Sequence, residues 1–156
     1  MKSLVLSKLS YCSVVWGGIG KTDVQKLQQI VNFAARVIFN KRKQEHVSPL
    51  LRQLNWLSVE NRLKLDTACF MFKVAHGTVP DTISGLFTRV NEVNQHETRQ
   101  AWDFYTPMMR TQAGRRALSF RGPKLWSTVP QDLKNSVSLR SFKHAYRRIL
   151  LENQNN

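Results

Sequence analysis

The sequence contains few of the residues on which disulfide-rich and metal-binding proteins depend. It has two cysteines, Cys12 and Cys69, which are too few for a disulfide framework. Both lie in apolar, helix-like surroundings, so we expect reduced thiols that pack as small hydrophobic side chains. The four histidines are scattered along the chain, without a second ligand at a metal-binding spacing. We therefore predict no metal site and no cofactor.

Catalytic motifs are absent as well. The chain has no GxSxG or HExxH sequence, no Gly-rich phosphate-binding loop and no CxxC pair. Its ten acidic residues are dispersed, and no two of them are adjacent. Metal-dependent phosphoryl transfer requires clustered carboxylates that hold two cations. We therefore expect this chain alone not to be an enzyme, and we expect no small-molecule substrate.

Long apolar runs are also missing. No run approaches the roughly 20 residues of a transmembrane helix. The first segment, MKSLVLSKLSYCSVVWGG, carries Lys8 inside its apolar stretch and lacks a small-x-small cleavage site, so it is not typical of a signal peptide. Its apolar stripe begins at once, without a capping residue, which indicates a chain that starts partway along a helix of a larger protein. We expect an intracellular protein without a membrane partner.

Charge is the strongest compositional feature. The chain has 24 Lys and Arg residues against 10 Asp and Glu residues, a formal net charge of +14. Residues 1–50 contain eight basic and two acidic groups, residues 51–98 five of each, and residues 99–156 eleven basic and three acidic groups. Two basic ends therefore flank a neutral middle. Such a charge favours polyanions, through phosphate neutralisation and counterion release, and predicts RNA or DNA backbone as the partner.

Hydrophobic periodicity predicts an all-α fold. An amphipathic helix begins at the capping-box pattern of Thr22 and Gln25. A second helix begins at Ser58 and ends near Gly77, and it is apolar around most of its circumference, which is typical of a buried central helix. Its polar stripe would allow Arg62 to pair with the carboxylate four residues later.

The last third of the chain is less regular, although Ser138 is placed to cap a final amphipathic helix. Only the sequence RRALSFR leaves room for a strand. We expect an irregular helical domain of about five to six helices, with a buried central helix and a loop-rich segment. One folded unit would comprise a helical pair over 1–40, a central helical core over 41–87, an irregular basic and aromatic segment over 88–137, and the C-terminal amphipathic helix over 138–156.

Basic residues interleaved with aromatic residues make the last two segments the candidate binding region. Guanidinium and ammonium groups neutralise phosphates, and exposed rings stack on unpaired bases. Trp126 is a candidate for stacking, but a core residue that pins an irregular segment is the alternative, and the same alternative applies to Trp56 and Trp102. The candidate phosphate contacts are Arg36, Arg110, Arg115, Arg116, Arg121, Lys124, Arg140, Lys143 and Arg147.

The order of several motifs resembles a known family. These motifs are LSYCSVVWGG, KLQQIVNFAARVIF, HVSPLLRQLNWLSVENRLKLDTACFMFKVAHGTVP and RTQAGRRALSFRGPKLWSTVPQDLKNSVSLRSFKHAYRRIL. Together they cover essentially the whole chain and resemble the C-terminal region of non-LTR (LINE-type, jockey-like) retrotransposon polyproteins. In that family the region follows the reverse transcriptase palm.

The resemblance implies a parent RNA-directed DNA polymerase, in which residues 1–40 would match a thumb-like helical unit that grips the template-primer duplex. The family's paired catalytic aspartates have no counterpart in this sequence. We therefore expect a non-catalytic fragment that supports nucleic-acid binding, beside the palm and fingers of its parent. The family's chromosomal target implies nuclear residence. The alternatives are a structural packing module that touches no nucleic acid, and a relic open reading frame without independent function.

Overall fold

The protein is helical throughout the part that the structure, a computed structural model, describes, namely residues 2–93 and 103–155. The described residues form eleven helices and no strand, and an isolated antiparallel bridge joins Arg89 to Phe104. The prediction of an all-α fold is confirmed, whereas Trp102 lies outside the described residues. The helices are α1 (Lys2–Ser10), α2 (Ser13–Trp16), α3 (Lys21–Ile38), α4 (Ser48–Gln53), α5 (Val59–Ala75), α6 (Asp81–Ser84), α7 (Val90–Val93), α8 (Gln112–Arg116), α9 (Leu118–Trp126), α10 (Gln131–Lys134) and α11 (Leu139–Asn155).

Only α1, α3, α5, α9 and α11 are nine residues or longer. The predicted number of five to six helices is smaller than the eleven found in the described residues, and the long helix α9 lies in a segment predicted to be irregular. Segment 88–137, predicted to be irregular, contains α7 to α10 in its described part. The sequence RRALSFR, where a strand remained an option, is helical on both sides of Ala117, whose backbone is extended.

The chain divides into two compact units. Unit 1 comprises residues 1–66 and 144–156, and unit 2 comprises residues 67–143. The division falls within α5 and within α11, where no proline, glycine or polar linker marks a boundary. Sequence composition therefore gives no signal for it.

A buried apolar cluster forms the core of unit 1. Its members come from α1, α3, α4, α5 and the turn before α5, and they are Leu6, Val31, Ala34, Ala35, Leu50, Leu51, Trp56, Val59 and Leu63. Helix α3 begins one residue before the predicted cap, with Gly20 at the N-cap position and no side-chain cap. Asp23 lies in its first turn, as expected, where a negative charge is favourable.

Two serines attach the N-terminal segment of unit 1 to α5. The Nε of Arg62 donates to Ser10 Oγ at 2.9 Å, and Ser13 Oγ donates to Asp66 Oδ2 at 2.6 Å. Arg62 and Asp66 therefore each bind a serine and are partly buried, where the sequence suggested an exposed pair. Burial lowers the pKa of Arg62, and the nearby Asp66 carboxylate partly offsets this effect. Cys12, expected among apolar neighbours, is exposed.

Side chains from three parts of unit 1 cap the start of α5. Ser58 Oγ accepts from the backbone N–H of Asn61 at 3.3 Å, which confirms the predicted cap. Gln28 Oε1 accepts from the N–H of Val59, and Gln154 Oε1 accepts from that of Ser58, both at 2.7 Å. These glutamines satisfy donors that a helix leaves unpaired at its first turn.

The other end of α5, in unit 2, closes as the sequence predicts. Gly77 has φ +64°, a conformation that glycine adopts without steric penalty. The N–H of Thr78 donates to the carbonyl of Lys73 at 2.9 Å, and that of Gly77 donates to Val74 at 3.2 Å. This pair of hydrogen bonds is a Schellman motif, which satisfies the last carbonyls of the helix.

Aromatic rings form much of the core of unit 2. Ring centroids are 4.8 Å apart for Phe72 and Phe142, 5.9 Å for Phe142 and Trp126, and 6.4 Å for Trp126 and Phe104. Helix α9 packs closely on α5, because a Cβ at Gly122 would lie 2.7 Å from the sulfur of Met71. The absence of a side chain at position 122 therefore permits this packing.

Candidate nucleic-acid interface

Helices α8 and α9 position the basic residues of the candidate interface in unit 2. Thr111 is the N-cap of α8, and its hydroxyl accepts from the N–H of Gly114 at 3.1 Å. Helix α8 ends at Arg116, and α9 begins after the extended Ala117. The short connection brings α8 against α9. Charges at the end of α8 and along α9 therefore lie on neighbouring elements.

A shallow depression of about 470 Å³ lies beside these helices. Its lining residues come from loop 106–109, α8 and α9, and they are Thr106, Pro107, Met108, Met109, Arg115, Phe120 and Lys124. The Nε of Arg115 donates to the carbonyl of Met109 at 3.3 Å, which joins the helix to the loop. The Nζ of Lys124 lies 5.6 Å from the centroid of the Phe120 ring. The depression thus combines an apolar lining with two cations.

Four exposed cations make up what we call the basic surface: Arg110, Arg115, Arg116 and Lys124. Among the residues that the structure describes, no carboxylate lies within 4.0 Å of any of them. The sequence has no acidic residue between Asp103 and Asp132. The positive charge of this surface is therefore not neutralised locally, which is the condition that phosphate binding requires.

Two predicted site residues of the same segment have structural positions instead. Trp126 is 3 % exposed and packs in the aromatic core, so the alternative of a core residue is correct and its ring is not open to a base. Arg121 is half-buried, and its Nη1 donates to the Oγ1 of the buried Thr67 at 2.9 Å. Burial lowers the pKa of Arg121. Neither residue belongs to the candidate interface, because its side chain would have to leave its contacts in the core to touch a ligand.

The two candidates in unit 1 are also engaged with the backbone. Arg36 donates to the carbonyl of Glu45 from both Nε, at 3.2 Å, and Nη2, at 3.0 Å. Arg147 donates from Nη2 to the carbonyl of Asn55 at 2.5 Å. Asn55 has φ +51°, in the left-handed region, so Arg147 binds the backbone of a tight turn. Both arginines are partly buried and hold loops in place, so, unlike the exposed Arg115, they do not belong to the candidate interface.

The remaining candidates, Arg140 and Lys143, are exposed on the part of α11 that belongs to unit 2. They follow Ser138, whose hydroxyl accepts from the N–H of Ser141 at 3.2 Å, so the predicted cap of α11 is confirmed. Neither has a carboxylate within 4.0 Å in the described part of the chain. They remain candidate phosphate contacts, separate from the basic surface as defined above.

Sequence reasoning missed the loop residues of the depression. Met108, which is 92 % exposed, and Met109 have no periodicity that distinguishes them from core residues. Phe120 was recognised only as an aromatic residue among basic ones. A useful signal was present in the pattern TPMMRT, where two consecutive methionines follow a proline and precede a helix cap, outside any amphipathic stripe.

Within the described residues, 2–93 and 103–155, His, Cys, Asp and Glu side chains nowhere gather in threes as a metal ion would need. None of the helices described above has the length and apolar character required to cross a membrane. No protein-family model, curated protein or solved structure matches this chain.

Proposed function

We propose that this chain is a non-catalytic helical region that binds the phosphate backbone of RNA or DNA. The observation that carries the proposal is the basic surface, whose four cations are exposed and lack carboxylate partners among the described residues. The motif order described above supports a setting for this activity, namely the region that follows the palm of a non-LTR retrotransposon reverse transcriptase. There it would help to hold the template and primer, in the nucleus.

Salt dependence of binding tests this function directly. Labelled single-stranded RNA and a duplex would be titrated with the full chain by fluorescence anisotropy at several salt concentrations. Because each neutralised phosphate releases counterions, affinity should fall steeply as salt rises. The double variant Arg110→Ala, Arg116→Ala should reduce the magnitude of the slope of log K against log[salt] by about 1.4 for a single strand, at about 0.7 for each lost contact.

A matched control separates local contacts from net charge. Lys26→Ala with Lys64→Ala also removes two positive charges, but these lysines lie beside Asp23 and Glu60, at 3.4 and 2.8 Å. The control variant should bind more tightly than the double variant of the basic surface. Equal losses of affinity in the two double variants would refute specific phosphate contacts by this surface. The absence of measurable affinity of the unmodified chain at low salt would refute them as well.

A second candidate function is the packing module. The observation in its favour is an apolar stripe on the exposed side of α3 in unit 1, where Ile30, Phe33 and Val37 are 53, 68 and 42 % exposed. These positions recur at helical spacing, so they form one continuous face. If packing is the whole function, Arg116→Ala should leave nucleic-acid binding by a full-length parent unchanged, whereas Phe33→Gln should weaken its assembly.

A further inference from the structure

The depression beside α8 and α9 has a composition that phosphate binding alone does not explain. Pro107, Met108, Met109 and Phe120 give it an apolar lining, and among the described residues Arg115 and Lys124 are the charged ones that line it. Phosphate contacts need exposed cations but no apolar cavity. The apolar lining therefore requires an explanation of its own.

A nucleotide unit combines the two properties that this lining would recognise. Its base has flat, apolar faces that stack on aromatic rings, and its phosphate is anionic. In a duplex these faces are covered by neighbouring base pairs, so only an unpaired base can enter a side-chain depression. We propose that the depression binds one unpaired base of a single-stranded nucleic acid, while Arg115 and Lys124 contact the adjacent phosphates. This inference rests on the proposed backbone binding.

Phe120 is the ring against which the base would stack. It is half-buried and lines the depression. The ammonium of the exposed Lys124 lies 5.6 Å from the ring centroid in the absence of ligand. On binding, a base takes this place over the ring, and the flexible lysine side chain moves its charge to a phosphate.

A hydrogen bond joins the loop that lines the depression to α8. Arg115 Nε donates to the carbonyl of Met109, and Thr111, which follows the loop, caps α8 through the N–H of Gly114. Because these bonds restrict the loop before a ligand binds, less conformational entropy is lost on binding. Arg115 thereby has two roles, since the guanidinium that orders the loop also lines the site.

Abasic strands separate base binding from phosphate binding. The full chain would be titrated by anisotropy with a fluorescein-labelled oligodeoxythymidine of about 12 nucleotides and with an abasic strand of equal length, which keeps every phosphate. The intact strand should bind about tenfold more tightly than the abasic strand, as expected for stacking of one base. A duplex of the same length should gain no affinity from base stacking in the depression, because its bases are paired.

Two variants test whether the difference in affinity between intact and abasic strands arises in the depression. Phe120→Leu keeps an apolar side chain but removes the ring, and it should bring intact and abasic strands to equal affinity without weakening abasic binding. Met108→Ala changes an exposed residue that the fold does not need, and it should narrow the same difference by about threefold, because it removes only one apolar contact. Circular dichroism would confirm that each variant is folded.

The outcomes distinguish this inference from the function on which it rests. Equal affinity of the unmodified chain for intact and abasic strands would overturn base binding and leave phosphate binding standing. Absence of binding to either strand at low salt would overturn both. An unchanged preference for the intact strand in folded Phe120→Leu and Met108→Ala would place the base elsewhere and overturn the assignment to this depression.

Discussion

Three arginines of unit 1 and two arginines of unit 2 have different surroundings, although the sequence gives them the same appearance. In unit 1, Arg36, Arg62 and Arg147 donate to a carbonyl, a serine hydroxyl and the turn at Asn55. In unit 2, Arg110 and Arg116 are exposed and have no carboxylate within 4.0 Å among the described residues. A count of positive charges therefore overestimates a binding surface, because arginine also serves as a multiple donor to backbone carbonyls.

Lys134 and Lys124 of unit 2 also differ in burial, and substitution of Lys134 has the largest expected effect on the free energy of unfolding. Lys134 is 8 % exposed, and its Nζ lies 2.8 and 3.0 Å from the two carboxylate oxygens of Asp103. Lys134→Met should lower the free energy of unfolding by about 3 kcal/mol, because it leaves a mostly buried carboxylate without its partner. Urea denaturation measures the loss.

Lys124→Met is the matched control, since this lysine is exposed and should change the free energy of unfolding by less than about 0.5 kcal/mol. The double variant Lys134→Met, Asp103→Leu should recover most of the lost stability, because no buried charge remains unpaired. If Lys134→Met unfolds at the same urea concentration as the unmodified chain, the ion pair has no structural role.

A smaller effect is expected for neighbouring arginines of α11. Arg147→Ala should lower the free energy of unfolding by about 1 kcal/mol, because it removes a charge-assisted hydrogen bond to the carbonyl of Asn55 at a partly exposed site. Arg148→Ala should change it by less than about 0.5 kcal/mol, because Arg148 pairs with Glu152 only at the surface, at 3.9 Å. Equal effects of the two substitutions would show that burial and partner do not distinguish these arginines.

The smallest expected effect on stability concerns Glu45, in the loop whose backbone Arg36 binds. The hydrogen bond from Lys41 to the Glu45 carboxylate, at 3.0 Å, lowers the pKa of Glu45, and the N–H of Arg42 adds to this shift. Because the pKa is lower in the folded state, the stabilisation is present above the unfolded-state pKa and is lost as pH falls through the folded-state value. NMR titration of the Glu45 side chain should show the lowered pKa, and Lys41→Gln should move it back towards the ordinary value. A titration that Lys41→Gln leaves unchanged would contradict this cause.

The sequence allowed the long helices α3, α5 and α11 to be predicted because their signals are local. Ser58, Ser138 and Gly77 act within one helical turn of the residues they cap, so their roles follow from neighbours in the chain. Gln28 and Gln154 cap the same helix end as Ser58 from 31 and 96 residues away, and no local pattern reveals such partners.

The candidate site was predictable only in part for the same reason. Charge is visible in composition, so the sequence identifies Arg110, Arg115, Arg116 and Lys124 as candidates, and all four are exposed. Whether an arginine is exposed depends on a distant acceptor, as Arg121 and Thr67 illustrate across 54 residues. The burial of Trp126 likewise depends on rings contributed by Phe104 and Phe142. Long-range contacts therefore decided which members of the predicted set face solvent.

Helix α9 contains two residues that oppose a helix, Gly122 and Pro123, and both are buried. Proline removes a backbone donor, and glycine loses much entropy on ordering, so residues 118–126 have little tendency to be helical by themselves. Close packing of Gly122 against Met71 supplies what local propensity lacks. A short peptide with the same positive charges would therefore not reproduce the wall formed by Phe120 and Lys124. The proposed base binding is therefore conditional on folding, so heating should abolish base selectivity together with the tertiary structure of unit 2.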